Sequence, residues 1–340
     1  LCKPNKGNKF VIITWPGFVG CVSGMNEKGI TVTLNASKSD VPTHTATPIA
    51  ILAREILQYA STTNDAWIIA QKHQTFVSES ILIGSSLENR SFIIEKTPFQ
   101  IDSFSVETNV LKCTNHYQSK LLRNTSSNLD KMKNSASKYR MERLTELINS
   151  KSKLSVNDFA SILRDRKGLQ SKDIGMGNEK ALNQLICHHS VIFKPSESKL
   201  WISTDPFQLG AYECYDFSSF FKNNSAPNYL QSLTDSSNYI PCDSFLSSKN
   251  WTNFLQFKKA NTHISNTIKS KKNNLSSAFI DSYIKFNPEY YYTYEILGDY
   301  YSHAGKHTLA IDYYKAALSK EVNSLEEINK IKRKMNTQND

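Results

Sequence analysis

The chain has 340 residues, 39% of them hydrophobic and 21% charged, a composition that suits a soluble protein of about two domains. Its formal charge of +10 comes from 41 basic and 31 acidic residues mixed along the chain, notably over 130–173, 258–272 and 330–334. That mixing reads as a solvated, Lys-rich surface; without a clustered basic patch or a zinc-finger spacing it argues against nucleic-acid binding, and no apolar run of about 18 residues marks a membrane span. The six cysteines, at 2, 21, 113, 187, 214 and 242, are too sparse for a disulfide framework and form no C-x-x-C pair.

In chain order, the opening Leu1-Cys2-Lys3-Pro4 has no Met, charged n-region or apolar h-region, and reads as the interior of a longer protein. Strands are expected at 10–15, 20–25 and 30–34, the last two joined by the turn Asn26-Glu27-Lys28-Gly29 in a hairpin of alternating β-branched residues. Helices fit 48–60, with Pro48 in the first turn, and 64–71, with Thr63 or Asn64 as cap. Further strands are expected at 80–84, 91–95 and 110–114, helices at 137–149 and 156–164 with Ser155 as a cap, and strands at 190–193 and 199–203. Paired antiparallel strands followed by helices make the class α+β with layered packing.

The polar 222–250 stretch reads as a linker between a first domain, 1–221, and a helical region, 251–335. There, helices are expected at 251–268, over 276–320 and at 325–335. A 34-residue frame from Tyr291, about 291–324, puts Tyr294, Leu297, Gly298, Tyr301, Ala310, Tyr314 and Ala317 where a tetratricopeptide repeat has its large, Leu, Gly, Tyr, Ala, aromatic and Ala positions. One such repeat cannot bury its own face, so it must pack on neighbouring helices or the first domain. The Tyr-rich 290–301 stripe is repeat core first and a peptide groove second.

Chemistry enters with Gly24-Met25-Asn26-Glu27-Lys28-Gly29-Ile30 and, four residues on, Leu34-Asn35. Cys113-Thr114-Asn115-His116-Tyr117, Ser137-Lys138-Tyr139-Arg140 and the 183–193 segment follow it. These motifs, in this order over roughly 10–217, resemble the choloylglycine hydrolase and acyl-coenzyme A:6-aminopenicillanic acid acyltransferase group (peptidase C45-like) of N-terminal-nucleophile hydrolases.

The resemblance implies an αββα sandwich whose catalytic Cys heads the mature chain, freed by autoproteolysis or Met removal, with its own α-amino group as base. It implies oxyanion donors at the backbone N–H of Asn35 and the side-chain amide of Asn115, and an orienting cation at Arg140, with Arg143 as the nearby alternative. It implies no cofactor; acyl-coenzyme A enters only as a substrate. The family's nucleophile strand, a leading Cys followed by G-R-N-x-D, has no counterpart before Met25. Cys2 follows Leu1, which blocks its amino group, so the sandwich reads as N-terminally incomplete, the nucleophile as lying outside the chain and the 340 residues alone as inactive.

Each residue also has a plainer reading. Asn35 suits a turn, Asn115 and His116 a satisfied polar pair, Arg140 a helix surface, and Glu27 and Lys28 a turn. Cys21, Cys113, Cys187 and Cys214 suit core packing, and Cys2 an incidental thiol. His188 and His189 point to opposite faces of a strand with no third ligand, against a metal. The leading function is therefore a linear-amide C–N hydrolase or acyltransferase acting through a Cys acyl-enzyme on a small N-acylated or acyl-thioester substrate, with specificity in loops 36–47, 118–136 and 165–180. The alternative is a non-catalytic scaffold that recruits a protein partner through its C-terminal helices. The resemblance favours an exported, periplasmic or secreted location over the cytoplasm.

Overall fold

The computed structural model describes residues 1–38, 45–222, 232–271 and 274–338. Residues 39–44 of the 36–47 loop, 223–231 of the expected linker and Lys272 of the basic stretch lie outside the described residues. The chain divides into two compact units, each discontinuous in sequence: 1–132, 190–203 and 212–240, then 133–189, 204–211 and 241–340. This differs from the continuous 1–221, 222–250 and 251–335 segments read from composition. Long-range bonds account for the difference: Arg164 donates to the carbonyls of Gly210 and Pro241, and Asn178 to that of Glu321.

The first unit carries a six-stranded antiparallel sheet in sequential order: β1 (Phe10–Ile13), β2 (Ser23–Asn26), β3 (Ile30–Ala36), β4 (Glu79–Ser85), β5 (Arg90–Lys96) and β6 (Ile101–Phe104). The β2–β3 hairpin forms where expected. Gly29 takes the left-handed φ of 76° that closes the turn, and the Asn26 side-chain oxygen accepts the N–H groups of Lys28 and Ile30. The Asn26 amide then donates to the carbonyls of Leu57 and Ala60, tying the hairpin to a helix end.

Period-2 alternation gives the sheet two distinct faces. Phe10, Ile30, Val32, Ile81, Ile83, Phe92 and Ile94 point to one side and pack under α1 (Ile49–Tyr59) and α2 (Thr63–Lys72) through Leu52, Ile56, Leu57, Ala66 and Ile69. On the other side, Val11, Ile13 and Met25 meet Leu200, Phe217 and Phe220. Leu200 belongs to a second sheet of β7 (Val191–Lys194), β8 (Lys199–Ser203) and β9 (Tyr212–Asp216).

The cap of α2 is Thr62, one residue before the expected Thr63. Its hydroxyl accepts from the Asp65 N–H, and the Asp65 carboxylate accepts from Ser61 and Thr62 in a capping box. The Ser61 N–H, helped by Thr62, holds the Asp65 carboxyl below its ordinary value. That stabilisation is present at neutral pH and is lost as pH falls through the lowered value. Thr62→Ala is expected to cost about 1 kcal/mol, read as a shift in the urea midpoint at pH 7.

Other elements differ from expectation. The strand expected at 110–114 is irregular, while β6, β9 and α3 (Ser126–Asn134) were not anticipated. β6 and β9 are short strands with few apolar residues, each paired with the strand just before it, and α3 has only Leu129 and Met132 as apolar residues.

The second unit is helical: α4 (Ser137–Asn149), α5 (Val156–Leu163), α7 (Lys249–Lys269), α8 (Ser277–Phe286), α9 (Tyr291–His303), α10 (His307–Leu318) and α11 (Leu325–Asn336), while the short α6 (Ser218–Lys222) belongs to the first unit. Ser155 caps α5, as expected. Phe257 stacks on Tyr283 with centroids 5.1 Å apart, in a core with Ile264, Ile280 and Leu297. Gly298 lets α9 and α10 touch: a Cβ there would stand 2.5 Å from the Tyr314 ring. Tyr291, Ala310, Tyr314, Ala317 and Ile331 form a core shared by α9, α10 and α11.

Candidate functional site

The site begins at the end of β3. Leu34 sends its N–H to the Val22 carbonyl and Ser37 sends its N–H to the Ser78 carbonyl, so successive residues of β3 alternate between the β2 and β4 sides. By that alternation the backbone N–H of Asn35 faces Ser80, its register partner on β4, while the N–H and carbonyl of Ala36 face the β2 side. The side-chain amide of Asn115 donates to the Ala36 carbonyl at 3.0 Å. The two motif elements, separated by 79 positions in sequence, thus meet at one strand end. On the Asn115 side, the adjacent backbone N–H is that of Ala36 rather than Asn35.

The Ala36 bond fixes the plane of the Asn115 amide group. The loop that presents Asn115 is held firmly. Asn128 accepts the Tyr117 N–H at 2.8 Å and donates back to its carbonyl at 3.1 Å, and the Tyr117 hydroxyl donates to the Lys96 carbonyl at 3.0 Å. The Glu95 carboxylate accepts the N–H groups of Gln118 and Ser119 at 2.6 and 2.9 Å. Tyr117 closes the motif that carries Asn115, whereas Glu95 and Asn128 were not singled out in the sequence. The one available signal was a lone carboxylate in the otherwise apolar Phe92-Ile93-Ile94-Glu95 run of β5.

Burial shapes the ionisation here. Desolvation pushes the Glu79 carboxyl, next to Ser80 and in register with Ala36, up to about 7. A group there changes protonation near neutrality and can carry a proton. Burial, with Glu95 nearby, pushes the Cys113 thiol up to about 12, and burial does the same to Cys21. Burial takes Cys214 up to about 11. A reactive Cys needs its thiolate, which these positions disfavour. Cys21 and Cys214 are buried and Cys113 half-buried, in line with packing, but Cys187 is exposed, which corrects the expectation of a core position. His116 is buried and shares a hydrogen bond with the Thr114 hydroxyl at 3.1 Å.

Arg140 and Arg143 lie on α4, in the second unit, whereas Asn35 and Asn115 belong to the first. Arg143 grips Asp165 with two bonds of 2.9 Å and Glu146 with one of 3.0 Å, which raises its own pKa and commits its charge to structure. Arg140 donates to the Glu179 carbonyl at 2.7 Å, and burial lowers its pKa. Among the described residues no group of three or more His, Cys, Asp and Glu could hold a metal ion, and no helix is long and apolar enough to cross a membrane.

No curated protein is significantly similar to the chain. Among solved structures, a variant and a mutant of conjugated bile acid hydrolase from Clostridium perfringens align at 12% and 13% identity. They cover 64% and 66% of this chain and 75% and 80% of theirs, with TM-scores of 0.32 and 0.31. The sequence profile of the acyl-coenzyme A:6-aminopenicillanic acid acyl-transferase family matches residues 1–208, well over half of the chain, and the protein belongs to that family.

Proposed function

We propose that the protein cleaves or forms linear amide bonds through a Cys acyl-enzyme, with the Asn115 side-chain amide as oxyanion donor and the nucleophile supplied from outside these 340 residues. The observation that carries this reading is the 3.0 Å bond from Asn115 to Ala36, which fixes a neutral N–H donor beside the strand end of the Leu34-Asn35 motif. The second donor is a backbone N–H at that end: Asn35 by motif, Ala36 by side. The raised thiols of Cys21, Cys113 and Cys214 support an external nucleophile.

The reaction follows from these parts. The thiol sulfur bonds to the carbonyl carbon of an N-acylated small molecule while its proton passes to the α-amino group of the same Cys. The carbonyl π pair moves to oxygen, and the resulting oxyanion accepts a hydrogen bond from the Asn115 N–H. Collapse breaks the C–N bond, and the amine leaves with the proton. Water or an acceptor amine then attacks the thioester, giving an acid or a new amide and returning a proton to sulfur. An acyl-thioester donor enters the same acyl-enzyme by loss of its thiol. Arg140 is the orienting cation by motif, a choice supported by the commitment of Arg143 to Asp165.

In this reading the C-terminal helices, including the tetratricopeptide-like 291–324 pair, bind a protein partner. The test is an amidase assay with a chromogenic N-acyl anilide. The 340-residue chain is expected to show no turnover. The reading frame upstream of Leu1 is expected to encode a Cys-headed strand with G-R-N-x-D, and a chain including it to turn over. Turnover by the 340 residues alone, or none with that strand restored, would overturn the proposal.

A further inference from the structure

We infer that Glu95 is the positioning residue for Asn115, a role that rests on the oxyanion function proposed above. Glu95 is 0% exposed, and among the described residues no cation pairs with it. Burying an unpaired carboxylate costs several kcal/mol, and here burial pushes its pKa above the ordinary carboxylate value against the pull of its hydrogen bonds. What the carboxylate obtains in that setting is a two-point grip. One oxygen takes the Gln118 N–H and the other the Ser119 N–H, three and four residues beyond Asn115.

The sheet register gives the grip its reference frame. Glu95 lies opposite Ser80, and Ser80 opposite Asn35, so the three form one row across β5, β4 and β3 with their side chains on one face. Neighbouring strands stand about 4.8 Å apart, and such a row is among the stiffest references a fold provides. Asn115 meets β3 one residue beyond that row, at the Ala36 carbonyl. The clamp therefore ties the loop bearing the side-chain donor to the strands bearing the backbone donor. Of the two residues between, Tyr117 is held by Asn128 and by its own hydroxyl on the Lys96 carbonyl, and His116 is buried against the Thr114 hydroxyl.

Glu95→Gln separates positioning from bulk stability. It keeps the shape and removes a buried charge, but its NH2 group opposes one of the two N–H donors, which breaks one arm of the grip. In the full 340-residue chain, ¹⁵N-resolved exchange of the Asn115 side-chain amide is expected to accelerate about tenfold or more. The Asn26 side-chain amide, bonded to Leu57 and Ala60 in the same unit, is expected to stay unchanged. In a nucleophile-bearing form, kcat is expected to fall about tenfold to a hundredfold at constant KM.

An unchanged Asn115 signal overturns the inference, and so does equal acceleration at Asn26 and Asn115, which would mark a purely structural residue. If Glu95→Gln fails to fold, Glu95→Asp, which keeps the charge but withdraws it by one methylene, carries the same measurement. A selective Asn115 response in a protein whose every form lacks amide turnover supports the clamp while rejecting the catalytic reading.

Discussion

Asn115→Ala, in a form of the protein that carries its nucleophile, is expected to lower kcat about a hundred- to a thousandfold while KM moves little. Removing one preorganised oxyanion donor typically has that effect, because the donor binds charge that exists only in the transition state. The geometry makes the expectation specific. The Asn115 amide is oriented by the Ala36 carbonyl at 3.0 Å, and its loop is fixed by Glu95, Asn128 and Tyr117, so water is a poor substitute for the lost donor. Asn115→Asp keeps the shape but puts an acceptor against the Ala36 carbonyl and a negative charge where one must develop. It should be at least as damaging. Steady-state kinetics check both, and a loss of KM alone would assign Asn115 to substrate binding.

Arg143→Ala is expected to destabilise the second unit by about 3–5 kcal/mol, the cost of leaving a partly buried carboxylate without its cation. Arg143 is buried, and its fork spans both oxygens of Asp165 while a third nitrogen reaches Glu146. Asp165 in turn anchors the chain beyond α5, since its backbone carbonyl accepts the Asn183 N–H. Chemical denaturation followed by circular dichroism checks this. A loss below about 1 kcal/mol, the range of an exposed pair, would show that the grip is peripheral and return Arg143 to the list of available cations.

Much of the fold was legible in the sequence where local chemistry and tertiary packing agree. The β2–β3 hairpin was readable because Asn26 and Gly29 satisfy the turn and alternating apolar residues satisfy the core at once. α4 matched its expected bounds, and α1 was readable from apolar residues at helical spacing. β9 was not, because Tyr212-Glu213-Cys214-Tyr215-Asp216 becomes a strand only by pairing with β8. The expected 110–114 strand failed for the converse reason: its β-branched residues suit a strand, but it joins neither sheet among the described residues.

The site divides in the same way. Asn35 and Asn115 were candidates in the sequence because each sits in a short motif. Glu95 acts across 23 and 24 positions on backbone N–H groups, and backbone groups leave no mark in residue types. The alternation that turns the Asn35 N–H toward β4 is likewise a property of register, set by Leu34 and Ser37 together rather than by Asn35 itself.

An acyl-enzyme on a Cys other than the six thiols present here is detectable by intact-mass analysis and peptide mapping after incubation with an activated acyl ester. One hydroxylamine-sensitive acyl adduct is expected on an N-terminal Cys of the nucleophile-bearing protein and none on Cys2, Cys21, Cys113, Cys187, Cys214 or Cys242. A stoichiometric adduct on any of those six, or none in any form of the protein, would contradict it.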